Sequence, residues 1–170
     1  MEHLAKDYKV YSDGISDVSY VAETLTQDYG VPFQVPTPAS KEIVYAADNT
    51  LPESSISQLQ HKYAALCQAD TIYVFGHLER NCKTLRGGTG WCVSRALDMK
   101  KKVYVYDIES ATWFQNQNNR FRLLLDLPTL VRKSVLLGSK HIGAITNNEI
   151  QSLFQRTFKA QERLLEDFDL

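Results

Sequence analysis

The feature that most constrains this chain is a short, almost wholly apolar run at residues 71–75, which ends at Gly76. Its β-branched and aromatic residues are typical of a β-strand. Because the run has no alternating polar positions, it favours a strand that is covered on both faces, as in the parallel sheets of α/β proteins. We therefore predict that residues 71–75 form a central strand of such a sheet.

Strand and helix patterns alternate along the rest of the chain. Short β-prone runs lie at residues 8–11, 31–35, 103–106 and 134–137. Apolar residues recur at helical spacing at residues 18–29, 52–67, 93–99 and 146–168. Strands separated by helices imply right-handed crossovers. The pattern predicts an α/β fold, a mostly parallel sheet with helices on both faces, built as one domain over residues 1–170.

Two segments lack a clear pattern. Residues 36–52 follow a strand and begin with two closely spaced prolines, which cannot donate to a sheet ladder, so we predict a loop there. The segment after Asp107 contains Trp113, Phe114 and an Asn/Gln-rich run at 115–119. We predict a solvated loop with exposed aromatic rings, which could stack on a base.

The last helix predicts self-association. Thr146 is its expected N-cap, with Glu149 as the capping-box partner. Its apolar residues continue well beyond that box and are Ile150, Leu153, Phe154, Phe158, Leu164, Leu165 and Phe168. This is more apolar surface than one sheet face requires, and an exposed apolar patch usually marks an interface. We expect a homodimer.

Charge and composition exclude several classes of protein. Nineteen Lys and Arg residues against twenty Asp and Glu residues give a net charge of −1, so the chain lacks the broad positive field of generic duplex-DNA or anionic-membrane binders. With 44% hydrophobic residues, disorder is excluded. The apolar runs are far shorter than the roughly 20 residues of a membrane span.

The N-terminus and the cysteines indicate the compartment. The first nine residues alternate in charge and show no secretory signal. Three cysteines, without a C-x-x-C pair, favour free thiols over a disulfide framework or a zinc site. We therefore expect a cytoplasmic protein without a metal or cofactor.

Polar residues and glycines collect where the predicted strands end. They are Ser12, Asp13, Gly14, Gly76, His77, Asp107, Gly138, Ser139 and Lys140. In an open parallel sheet the carboxyl ends of the strands form the ligand crevice. Turns favour the same residue types, so a binding role and a turn role both remain open.

A glycine-rich turn supplies candidate anion-binding groups at this edge. Residues 87–90 read Gly-Gly-Thr-Gly and open a predicted helix, directly after Arg86. Such a turn exposes unpaired backbone N–H groups that attract a phosphate, and Arg86 suits bidentate phosphate contact. The turn is neither a Walker A motif nor G-x-G-x-x-G. A phosphate cradle and a plain helix-start turn remain the two interpretations of the spacing.

Three segments carry a resemblance to a known family. Residues 73–76 (Tyr-Val-Phe-Gly), 86–91 (Arg-Gly-Gly-Thr-Gly-Trp) and 102–107 (Lys-Val-Tyr-Val-Tyr-Asp) resemble the SLOG superfamily, above all its small single-domain bacterial and phage members. The superfamily includes LONELY GUY phosphoribohydrolases, DNA-processing A proteins and nucleotide-sensing domains of bacterial immunity. The likeness spans residues 8–158 in element order and is specific over 73–107. It implies a Rossmann-like fold that binds a nucleotide.

The resemblance also implies the binding residues. The first-strand turn at residues 12–14 should form the other wall of the site, with Asp13 where a glycine is expected. Trp91 stacks on a base or packs its helix against the sheet. The expected ligand-binding residues are Ser12, Asp13, Gly14, Gly76, Arg86, Gly87, Gly88, Thr89, Gly90, Trp91 and Asp107.

One departure from the family bears on chemistry. The catalytic glutamate of LONELY GUY enzymes falls on Ser94, and their threonine falls on Trp91. Our first hypothesis is therefore a module that senses, sequesters or carries a nucleotide or a nucleotide-derived small molecule. The alternatives are a nucleoside-phosphate N-glycosidase of LONELY GUY type and a protein-interaction scaffold with a degenerate site.

Overall fold

A computed structural model describes the backbone of residues 2–168 and the side chains of residues 4–159. The helices are α1 (Glu2–Asp7), α2 (Asp17–Tyr29), α3 (Lys41–Ala47), α4 (Glu53–Leu66), α5 (Gly87–Asp98) and α6 (Gly143–Phe168). The strands are β1 (Lys9–Tyr11), β2 (Phe33–Gln34), β3 (Thr71–Gly76), β4 (Lys102–Asp107), β5 (Thr112–Gln117), β6 (Arg120–Leu123) and β7 (Lys133–Gly138).

The strands form one mixed sheet in the order β2-β1-β7-β3-β4-β5-β6. The first five strands in this order pair in parallel, whereas β5 runs antiparallel to β4 and to β6. β3 occupies the middle of the sheet, and all six of its residues are buried. The predicted α/β class, the mostly parallel sheet and the central position of residues 71–75 are confirmed.

Helices cover both faces of the sheet. Tyr73 and Phe75 pack on the face that carries α2 and α6, and Ile72 and Val74 pack on the face of α3, α4 and α5. The side chains of a strand alternate between the faces of its sheet. The uninterrupted apolar run of β3 therefore fills two cores at once.

The connections reverse direction in the centre of the sheet. β1 leads through α2 to β2 on one side, and β3 leads through α5 to β4 on the other, with β7 between β1 and β3. In open α/β sheets the crevice beyond the carboxyl ends of the strands at such a reversal is the usual ligand site. The topology therefore predicts a ligand site at the carboxyl ends of β1, β7 and β3.

The loop prediction for residues 36–52 is wrong in its middle, where α3 forms. The side chain of Ser40 caps this helix by accepting a hydrogen bond from Ile43 N at 3.2 Å. Val44 is its buried residue. A two-turn helix with one buried position shows no periodicity that a sequence pattern reveals.

The solvated loop predicted around residues 115–119 is also wrong, because β5 and β6 form a hairpin there. Asn118 and Asn119 turn the chain with positive φ angles of 53° and 64°, which asparagine tolerates better than most residues. Trp113 is 3% exposed and belongs to the core, and Phe114 is half-buried. The expectation that these rings are exposed is therefore not met.

The last helix begins at Gly143, three residues before the predicted N-cap. Thr146 is buried within its first turn, so the N-cap prediction is wrong. The four apolar residues from Ile150 to Phe158 are all buried against the sheet of the same chain. Leu164, Leu165 and Phe168 have side chains outside the described residues, and the homodimer stays a prediction.

In the part of the chain that the structure describes, no helix combines the length and the apolar character needed to cross a membrane.

Trp113 should be a large contributor to stability. Its ring lies edge-on to Tyr73 and Phe75, and its Nε1 donates to Glu149 Oε1 at 2.8 Å. Trp113→Ala should lower the free energy of unfolding by about 3–5 kcal/mol, as for other buried aromatic residues. Urea denaturation measures the loss, with Phe114→Ala on the same strand as the half-buried control. Equal losses in the two variants would contradict the assigned packing.

Candidate functional site

A cavity of about 500 Å³ opens at the carboxyl ends of β1, β7 and β3. Its walls come from the loop after β1, the polar face of α4, the first turn of α5 and the loop after β7. The cavity thus lies at the reversal of strand order, which is where the topology places a ligand crevice.

One stripe of α4 forms a wall of this cavity. Ser57, Gln58, His61 and Lys62 line it, and their i, i+4 spacing brings them to the same face of the helix. Leu59 lies on the buried side of α4. The apolar spacing of this helix predicted only that it packs on the sheet; its four polar lining residues were not predicted, although their own spacing is the signal that could have identified them.

The first turn of α5 forms another wall. Arg86 occupies the N-cap position, but no side chain of the described residues caps the helix, and its first turn contains no acidic residue. The leading N–H groups of a helix lack intrahelical partners and carry partial positive charge. Of the predicted binding residues, Arg86, Gly87, Gly88 and Thr89 line the cavity.

The charged side chains that line the cavity are all basic. They are Lys62, Arg86 and Lys140, together with the titratable His61 and His77. The Arg86 side chain is 60% exposed, and its Nε lies 3.7 Å from Glu79 Oε1, a distance too long for a strong hydrogen bond. Arg86 therefore retains donors for an anion, and Lys140 is exposed and has no ion pair among the described residues.

Lys62 and Asp13 form a buried ion pair at the cavity wall. Lys62 Nζ donates to Asp13 Oδ2 and to the Gly138 carbonyl, each at 2.9 Å. The exposed fractions of the two side chains are 7% and 0%. Asp13 Oδ1 accepts from Ile15 N, Ser16 N and Ser16 Oγ. The carboxylate therefore has four donors from residues of the first loop and from α4.

Burial by itself would raise the pKa of Asp13, but the Lys62 ammonium and the hydrogen bonds from Ile15 and Ser16 outweigh it and lower the pKa below its usual value of 3.8. Asp13 is thus ionised at neutral pH. It neutralises Lys62 and fixes the loop that follows β1.

The other predicted residues of the first-strand turn shape this loop without lining the cavity. Ser12 Oγ donates to Leu136 O on β7 at 2.7 Å. Gly14 has a φ of +77°, and its N–H donates to Ser19 Oγ in α2. The turn links β1 to β7 and α2, a structural role for Ser12 and Gly14.

Gly76 and Gly90 bring backbones close together beside the cavity, which neither residue lines. A Cβ at Gly76 would lie 3.2 Å from Thr89 Cγ2, and a Cβ at Gly90 would collide with the carbonyl of Leu85. The two glycines let α5 pack against β3 and against the turn before it. They position Gly87 and Gly88.

Trp91 and Asp107 lie away from the cavity lining. Trp91 Nε1 donates to Asp48 Oδ2 at 3.0 Å, and its ring packs on Tyr63. Asp107 accepts hydrogen bonds from Leu78 N and Ser110 N. Trp91 thus fastens α5 to the segment after α3, and Asp107 holds the turns beyond β3 and β4.

The carboxylate that the hydrolase alternative would use is missing from the described lining of the cavity. None of the described residues that line it is Asp or Glu, and Ser94 does not line it either. The described residues also contain no group of three His, Cys, Asp or Glu side chains that could hold a metal ion. Asp13 is close behind the wall, but its oxygens are occupied by the hydrogen bonds described above.

Comparison with models of protein families, with curated proteins and with solved structures found no match.

Alanine at Gly88 and alanine at Gly90 should change the free energy of unfolding in opposite directions. A Cβ at Gly88 would rest 3.5 Å from Leu59 Cδ2, an ordinary contact, so Gly88→Ala should raise the free energy of unfolding by up to about 1 kcal/mol. Gly90→Ala must displace the Leu85 backbone and should lower it by about 1–3 kcal/mol. Urea denaturation measures both, and a destabilisation by Gly88→Ala equal to that of Gly90→Ala would contradict the packing.

The Asp13–Lys62 pair should make the free energy of unfolding depend on pH in the acidic range. Because the pKa of Asp13 is lowered in the folded state, its contribution is present at neutral pH and is lost as pH falls below about 4. Between about pH 7 and pH 3, the free energy of unfolding measured by urea denaturation should fall further in the wild type than in Asp13→Asn/Lys62→Met. Asp107, whose pKa is also lowered, titrates in both proteins. Equal losses would show that the pair does not contribute.

Proposed function

We propose that this protein is a nucleotide-binding module that holds the phosphate of a nucleotide or a nucleotide-derived small molecule at the first turn of α5. The backbone N–H groups of Gly87, Gly88 and Thr89 bind the phosphate oxygens, and Arg86 and Lys140 add charge-assisted hydrogen bonds. The observation that carries the proposal is the uncapped start of α5, which opens into a cavity whose charged lining side chains are all basic.

The size and position of the cavity support a small-molecule ligand. About 500 Å³ falls within the range of roughly 300–1,000 Å³ that is usual for ligand sites. A Rossmann-like reading of the sheet and the resemblance of residues 73–107 to SLOG proteins favour a nucleotide over another phosphate ester. We assign the module a sensing, sequestering or carrier role, because no carboxylate among the described residues lines the cavity and Ser94 stands where LONELY GUY enzymes carry their glutamate.

Thermal unfolding in the presence of nucleotides tests the proposal. The nucleotides to screen are the mono-, di- and triphosphates of the common nucleosides and NAD. A ligand at 100 times its Kd should stabilise the fold by about 2.7 kcal/mol and raise the Tm accordingly. A complete screen without any shift in the wild type would refute nucleotide binding.

Gly88→Asp separates binding from folding. A carboxylate in the first turn of α5, which now has no acidic residue, favours the helix by about 0.3–1 kcal/mol. It also occupies the anion position, so the nucleotide-dependent shift should disappear while the protein stays folded. Gln155→Asp places the same charge on an exposed position of α6 and should leave the shift intact. A shift that persists in Gly88→Asp would place the phosphate elsewhere.

A further inference from the structure

Lys62 retains a hydrogen-bond donor at the cavity wall. An ammonium group carries three N–H donors, and among the described residues Lys62 Nζ uses two of them, on Asp13 and on the Gly138 carbonyl. The side chain is 7% exposed and lines the cavity. The third donor therefore remains for an atom that enters the cavity.

The charge beside Lys62 restricts what that atom can be. Asp13 Oδ2 lies 2.9 Å from Lys62 Nζ, so a second anion at this ammonium would also meet the negative charge of Asp13. A neutral acceptor meets no such repulsion. Arg86 and Lys140, by contrast, line the cavity without a buried carboxylate partner. The cavity thus combines a cationic part at α5 with a neutral, hydrogen-bonding part at Lys62.

We propose that Lys62 is a specificity-determining residue, which donates a hydrogen bond to a neutral oxygen or nitrogen on the nucleoside half of the ligand. The inference rests on the proposed function, since it requires the phosphate to lie at α5. The ligand is then a nucleoside phosphate. Inorganic phosphate and pyrophosphate can bind only at α5 and should therefore bind more weakly. Ribose hydroxyls and base carbonyls are acceptors of the required kind.

A purely structural role for Lys62 makes a different prediction. If the lysine only held the loop after β1 in place, its loss would change the affinities for all phosphate ligands by the same factor. The specificity role predicts that its loss weakens nucleotide binding and spares inorganic phosphate. The ratio of the two affinities separates these roles.

The test compares inorganic phosphate with the four common ribonucleoside 5′-monophosphates by NMR titration. The wild type should bind at least one monophosphate more tightly than phosphate. In Asp13→Asn/Lys62→Met, which leaves no unpaired buried charge, this preference should fall about tenfold, the usual effect of losing a hydrogen bond from a charged donor, with the Kd for phosphate unchanged. Lys62→Met alone leaves Asp13 without its cation, so it should weaken phosphate and the monophosphates alike and still lower the preference; the double variant covers failure of the single variant to fold.

Lys140→Met is the matched control. Lys140 lines the cavity on an exposed loop, so its loss should weaken phosphate and monophosphates by the same factor and leave the preference unchanged. A preference that survives in the Lys62 variants, no preference in the wild type, or a loss of phosphate binding in the folded double variant would each overturn the role of Lys62. If neither phosphate nor any monophosphate binds the wild type, the role of Lys62 is overturned, and the proposed function fails as well only if the thermal screen also shows no shift.

Discussion

The hydrogen bonds of Lys62 hold together the elements on which the cavity depends. One ammonium on α4 contacts the carboxylate of the loop after β1 and the last carbonyl of β7. These groups lie 49 and 76 residues from Lys62 in the sequence. A buried carboxylate without a partner is costly, so the pair fixes how α4 and the first loop sit across the carboxyl edge of the sheet.

Close backbone contacts at two glycines complete this arrangement around the cavity. A Cβ at Gly138 would collide with Val18 and approach the carbonyl of Phe75, just as one at Gly90 would collide with Leu85. The absence of these Cβ atoms lets β7 approach β3 and α2, and lets α5 start directly beside the sheet edge. The N–H groups of α5 and the Lys62 ammonium consequently open into one space.

The sequence predicted those parts of the fold whose signals are local. The apolar run of β3 and the helical spacing of α4 required only neighbouring residues, and both elements are confirmed. The hairpin around Trp113 was missed because its polar residues resembled a solvated loop. Of the candidate site, the glycine-rich turn was recognisable by its spacing. The role of Asp13 was not, because it depends on a lysine that only the folded chain brings near.

The Asp13–Lys62 pair also bears on the proposal that the cavity binds its ligand without hydrolysing it. A carboxyl group that acts as acid or base in the cleavage of an N-glycosidic bond must exchange a proton. Asp13, which is paired with the lining residue Lys62, accepts four hydrogen bonds and has a lowered pKa, so it holds its charge instead of exchanging protons. The same contact that keeps Asp13 ionised, together with the bond to the Gly138 carbonyl, keeps Lys62 oriented, which the proposed recognition of a neutral acceptor requires.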